Sequence, residues 1–230
     1  MYINCHSYYS LRYGMMSVEQ LVLNAVAAGE DCIAMTDINN STGIPEFAGE
    51  CIKNGIRPLA GIEFRNDNDL LYICIARNNE GMRELNEFLS AHNFDKTPLP
   101  FPSPEFSHAY SVYPLSGFPE RPLLDNERIG IRPSEINRLV TMPGSVSRNS
   151  MVLLQPVTFA AEDDIFIHKS LRAVDNNILL SHLKPSQCGA EDEFFMHPGK
   201  KSRLMHEHEW LMKNTEKLMG DCSLNFDLTT

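Results

Sequence analysis

This sequence lacks the features that announce most function classes. No apolar run approaches the length of a membrane span, and no charged-then-apolar signal precedes the first motif, so neither insertion nor export is expected. No Cys-x-x-Cys pair occurs. The six cysteines, at 5, 32, 51, 74, 188 and 222, are scattered, several inside apolar runs such as Leu70–Ala76, and they read as reduced, buried thiols of a cytoplasmic protein. Basic charge is also short. With 20 Lys and Arg against 30 Asp and Glu, the net charge of −10 argues against a broad phosphate-binding surface, so direct nucleic-acid binding is expected to be weak or absent. There is no Gly-rich phosphate loop, no Gly-x-Ser-x-Gly elbow and no heptad seam. What remains is a chain of 230 residues, 43% hydrophobic, long enough to bury a substantial core. We read it as one domain over residues 1–230, with a Pro-rich connector at about 97–122.

The first 96 residues alternate strand and helix. Met1–Cys5 is β-prone. Ser17-Val18-Glu19-Gln20 has capping-box spacing, and Leu21, Val22, Ala25 and Val26 follow at helical intervals up to Gly29. Cys32–Thr36 predicts a strand and Asp37–Gly43 a turn-rich loop. Pro45 opens a helix to Asn54 that Gly55 ends. Pro58–Phe64 and Leu70–Ala76 are further strands, and Asn78-Asn79-Glu80 caps a helix carrying Met82, Leu85, Phe88 and Leu89. Such alternation implies parallel pairing in an open α/β sheet or a barrel, with chemistry at the carboxyl ends of the strands. Those ends are Cys5-His6-Ser7, Asp37-Ile38-Asn39, Glu63-Phe64 and the segment after Ala76.

Several of these segments match a known family in order. Asn4-Cys5-His6-Ser7-Tyr8-Tyr9-Ser10 resembles the His-x-His-Ser-x-x-Ser opening of the polymerase and histidinol phosphatase (PHP) domain, here that of the bacterial DNA polymerase III alpha subunit. Ala34-Met35-Thr36-Asp37 is similar to its Thr-Asp-His motif, and Gly55–Glu63 to the strand ending in a ligand glutamate. Ile75–Leu85 is similar to the next strand and helix. Asn214-Thr215 and Cys222–Asp227 resemble the helix and strand that close the domain. The resemblance implies a distorted (β/α)7 barrel, shortened in the middle around residues 97–150.

It also implies a metal site, and here the chain departs from the pattern. His6 and Glu63 keep ligand side chains. Asn4 stands in place of the first histidine, Tyr13 of an aspartate, Ile38 of the histidine after Thr-Asp, and Leu71 of a histidine on the next strand. Pro156 and Thr158, in Gln155–Phe159, stand in place of the last aspartate and histidine. Several clustered cations need several carboxylates and imidazoles, which one histidine and one glutamate do not supply. No cofactor is therefore expected. The alternative is one weakly bound divalent ion (Zn, Mn or Mg) on His6 and Glu63, with Asp37 as an extra acid. The family's polymerase acids lie in a separate palm domain and are absent here. The resemblance thus implies a non-catalytic support or docking module whose partners are polymerase domains or replication proteins. The rival is a metal-dependent phosphoesterase or 3′–5′ exonuclease completed by His92, His108 or Asp125.

Other candidates read as structure. His206-Glu207-His208-Glu209 does not place its histidines on one helix face and is expected to be the solvated start of a helix through Met219. His168 is expected to be packed within a helix from Asp163 to Asn176. Asn126–Pro133 predicts a strand entering a short helix at Ser134–Leu139, and Met151–Gln155 another strand. Pro98, Pro100, Pro102 and Pro104 forbid helix and mark an extended crossover. Arg128, Arg132, Arg138, Arg148 and Arg172 are expected to be scattered surface residues.

Overall fold

A computed structural model describes residues 1–141 and 146–226. β1 (Tyr2–Cys5), α1 (Val18–Ala27), β2 (Cys32–Met35), α2 (Ile44–Lys53) and β3 (Arg57–Asn66) alternate as the periodicity predicts. The Ser17 hydroxyl accepts from Gln20 N–H at 3.1 Å to start α1, and Pro45 lies in the first turn of α2. β4 (Asp69–Ala76) and α3 (Asn79–Asp95) follow, with the Asn78 side chain capping α3 through Gly81 N–H at 3.0 Å. Beyond them lie β5 (Ala109–Pro114), β6 (Glu127–Ile131), β7 (Met151–Leu153), β8 (Pro156–Val157), α4 (Asp163–Asp175), α5 (Pro198–Glu207) and α6 (Glu209–Gly220).

The strands form one eight-stranded sheet in the order β7-β6-β5-β4-β3-β2-β1-β8. Its two edges, β7 and β8, are separated by only Leu154 and Gln155. At most about 3.6 Å of chain per residue separates them there, so the sheet curls until its edges approach at one end. One extended run thus bonds β6 with its first half and β1 with its second. This is a mixed α/β half-barrel. Its middle is short: no α-helix links β5 to β6, and the β6–β7 crossover carries 3₁₀ turns at Pro133–Thr141 and Arg148–Ser150 where a short helix is expected.

Pairing is not parallel throughout. β3–β4 and β4–β5 are antiparallel, because Asp67 and Asn68 turn the chain straight back, Asp67 at φ 51°. β4 therefore runs the other way, and the segment after Ala76 lies at the end opposite to the one expected. A register shift at Phe64/Arg65 also moves Leu71 to the outer face, where it packs near Phe64 and Tyr72; Leu70 faces inward in its place. Residues 222–226 carry no strand, and Asp227 lies outside the described residues.

The core follows the pleat. Alternate residues Ile3, Ala34, Leu59, Ile73, Val112 and Val152 share one apolar cluster, closed by Leu218, Met219 and Cys222 at the end of α6. The opposite face is covered by α1, α2 and α3. Gly61 permits a close approach of β3 and β4: a Cβ there would meet the Cys74 carbonyl oxygen at 2.0 Å. The proline-rich connector packs Leu99 and Phe106 inward, and the Asn66 amide clamps both backbone groups of Leu99 at 2.9 Å. His206–Glu209 spans the junction of two helices: α5 ends at Glu207 and α6 begins at Glu209. Five of the six cysteines are buried and Cys188 is half-buried, and burial pushes the Cys51 thiol up to about 12. No helix among the described residues is long and apolar enough to cross a membrane.

Candidate functional site

A cavity of about 840 Å³ opens at the carboxyl ends of β1, β3, β5 and β6. Asn4, His6, Tyr13, Glu63, Arg65 and Glu193 line it. Asn4 and His6 are two apart at the end of β1, and Glu63 and Arg65 two apart on β3, so each pair shares a side. Tyr13 arrives from the loop after β1. That loop closes tightly at Gly14, where a Cβ would sit 1.8 Å from the Ser7 carbonyl oxygen.

Glu63 is 1% exposed and both its oxygens are engaged. Oε2 accepts from the Asn4 amide at 2.6 Å and lies 3.0 Å from His6 Nε2, while Oε1 accepts from Arg65 Nε. Burial alone would raise the Glu63 pKa, but Arg65, then His6 and Asn4, hold it below the usual carboxylate range. On the far side, His6 Nδ1 lies 2.9 Å from the Thr158 hydroxyl, which donates to Glu193 Oε2 at 2.6 Å. Arg132 meets Glu193 at 3.2 Å and Asp192 at 3.1 Å. A continuous polar chain thus runs Arg65–Glu63–His6–Thr158–Glu193–Arg132 and ties β3, β1, β8, the segment before α5 and the end of β6 together.

Aromatic rings wall this chain. Tyr13 stands edge-on to His6 at 5.2 Å and to His168 at 4.8 Å, and the Arg65 guanidinium lies 4.5 Å over its ring. His168 is fully buried, as expected for a packed helix histidine. Its Nε2 accepts from Gly189 N–H at 2.9 Å, so Nδ1 carries the proton and donates to the Tyr13 carbonyl at 2.8 Å. Burial brings its pKa down to about 4.

Asp37 does not join this group. Its carboxylate accepts from Ser7 N–H at 2.7 Å and from the Ser7 and Ser10 hydroxyls at 2.7 and 2.6 Å, and so shapes the loop after β1. Ile38 bridges to Glu63 through its backbone. Pro156 lines the cavity beside Asn4, its register partner. His92 packs on Phe88 at 4.3 Å, outside the cavity. His108 and Asp125 precede β5 and β6, whose far ends reach the cavity, so they lie at the opposite end of the sheet. Among the described residues, no three His, Cys, Asp or Glu side chains form a ligand set for a metal ion.

Sequence reasoning missed Arg65, Glu193, the burial of Arg172 and the pairing of half-buried Arg132. Arg172 is 5% exposed, bonding the Gln187 carbonyl at 2.8 Å, and Arg132 pairs with Asp192 and Glu193; neither is a scattered surface residue. Arg65 carried a local signal, being two residues beyond Glu63 on a strand. Glu193 carried none.

The family model described as PHP domain matches residues 3–117. DNA polymerase III subunit alpha of Staphylococcus aureus (strain Mu50 / ATCC 700699) is 34% identical over 92 residues, which are 39% of this chain and 9% of that protein. The subunit of the same name from Ureaplasma parvum serovar 3 (strain ATCC 700970) is 31% identical over 83 residues, 36% of this chain and 8% of that one. The match therefore spans less than a tenth of these relatives' length. A solved structure from Bifidobacterium adolescentis, described as a metal-dependent phosphoesterase, is 15% identical, with a TM-score of 0.34 over 89% of this chain and 94% of that one.

Proposed function

The chain belongs to the PHP domain family, and from that premise we propose that it is a non-catalytic PHP module of a DNA polymerase III alpha-like protein. In this reading residues 1–230 form one domain that supports polymerase domains or docks replication proteins in the cytoplasm. The observation that carries the proposal is the engagement of Glu63. Both its oxygens are taken by Asn4, His6 and Arg65, and the neighbouring ligand positions hold Tyr13, Pro156 and Thr158. A multinuclear centre needs free anionic donors around it, and this donor set does not fit one. His6 and Glu63 are read as polar residues satisfied by hydrogen bonds, without a bound cofactor.

Two assays test the reading. Phosphomonoester and 3′-terminal hydrolysis, measured with Mn²⁺, Zn²⁺ or Mg²⁺ added, is expected not to exceed that of a His6→Ala control. Titration against the polymerase domains of a DNA polymerase III alpha subunit stripped of their own PHP module is expected to give saturable binding. Turnover lost in His6→Ala would favour a phosphoesterase or 3′–5′ exonuclease instead. Absence of binding at protein concentrations of about 100 μM would remove the docking role.

A further inference from the structure

The buried Glu63 carboxylate needs a counter-charge, and the fold supplies one from the next inward-facing position of the same strand. Arg65 is held on three sides. Its backbone N–H donates to Asn39 Oδ1 at 3.0 Å and its carbonyl accepts from Asn39 Nδ2 at 2.8 Å. Its guanidinium stacks over Tyr13 and donates to the Tyr13 hydroxyl at 3.1 Å, and its Nε donates to Glu63. The side chain is only 10% exposed. A guanidinium fixed in this way is a planar, permanently charged donor matched to a carboxylate.

A second observation marks what the site has given up. The Glu63 carboxylate fixes the Asn4 amide with its NH2 group towards Oε2, which leaves Asn4 Oδ1 buried with no partner. This unsatisfied acceptor belongs to the side chain that stands in place of the first histidine of the family pattern. We propose that Arg65 is the resident cation of this site, and that its guanidinium excludes divalent metal even when the missing ligand is restored. The proposal rests on the PHP reading of the ligand positions and adds to it which residue keeps metal out. An entering dication would need the same Glu63 oxygens and would face the repulsion of a charge that cannot be deprotonated.

The test compares the parent chain, Asn4→His, Arg65→Gln and the double variant. Zinc chloride is titrated by calorimetry, and thermal unfolding is followed with and without the metal. Arg65→Gln is neutral and can still donate to Glu63, which favours a folded protein. Arg65→Met serves as a second neutral replacement should that variant fail to fold. The expected result is no zinc-dependent shift above about 1 °C for the parent and for Asn4→His. The double variant should gain near-equimolar binding and a rise of about 5 °C, lost again on adding His6→Ala. Zinc binding by Asn4→His as tight as that of the double variant would overturn the proposal. So would a folded double variant that binds none. Hydrolysis by the parent chain would instead count against the non-catalytic reading, and these outcomes are separable.

Discussion

Asp37 and Glu63 are carboxylates at adjoining strand ends, each 1% exposed, and the fold holds them in opposite ways. Asp37 is surrounded by neutral donors, a backbone N–H and two serine hydroxyls, and burial outweighs them so that its pKa is raised. Glu63 faces the same burial, yet Arg65 and His6 bring its pKa below the usual range. The contrast shows that depth alone does not decide the state of a buried acid. A hydrogen-bonded hydroxyl shapes a loop, whereas a buried cation fixes a charge. One carboxylate therefore shapes the loop after β1 and the other anchors a continuous polar chain across the cavity.

Removing the cation should break this contrast most strongly. Arg65→Met leaves Glu63 charged and buried with only His6 and Asn4, and is expected to cost about 3–5 kcal/mol in urea unfolding at pH 7. A loss under about 1 kcal/mol would mean that the pair is not what balances Glu63. Glu63 itself should lend its stability fully above pH 4.5 and lose it as pH falls through the carboxylate range, since its folded pKa is lowered.

Next in size is His168, which anchors Gly189 and the Tyr13 carbonyl only while neutral. Its pKa falls from 6.5 to about 4 on folding, so the unfolded chain takes up the proton first. Stability is expected to be complete above pH 6.5 and to drop by up to about 3 kcal/mol as pH falls towards 4. Denaturant midpoints measured across that range should flatten in His168→Gln; an unchanged slope would mean that His168 protonation does not drive the loss.

A smaller effect sharpens the other side of the comparison. Asp37→Asn keeps one acceptor and is expected to cost about 1–3 kcal/mol at pH 7. Its pH dependence should run opposite to that of Glu63. A raised folded pKa means that the folded state holds its proton longer, so stability declines as pH rises above 3.8, and the variant should lose that decline. Smallest of all, Tyr13→Phe keeps the ring under Arg65 and removes only the 3.1 Å contact to its hydroxyl. About 1 kcal/mol is expected, read as a modest drop in thermal midpoint.

Much of the frame was legible because its signals are local. Ser17 and Asn78 are caps, Pro45 opens a helix, and the apolar runs ending at Cys5, Met35 and Phe64 are strands whose ends carry His6, Asp37 and Glu63. The reversal of β4 is also written in the sequence, in the Asn66-Asp67-Asn68-Asp69 turn, a local signal that helix–strand alternation does not carry. The family resemblance puts Leu71 at a ligand position, but the register shift at Phe64/Arg65 turns it to the outer face. Arg65 is not among the family's ligand positions, and only its spacing of two residues from Glu63 on β3 marks it in the sequence. Glu193 could not be read locally: it meets Thr158 across 35 residues and Arg132 across 61, and only the folded chain brings them together.

The central claim is that protein charges, not metal ions, balance this site, and metal content tests it most directly. Untagged protein never exposed to chelator would be measured by elemental mass spectrometry beside a His6→Ala, Glu63→Ala control. The account predicts less than about a tenth of an equivalent of zinc, manganese or iron. About one equivalent or more, lost in the control, would contradict it.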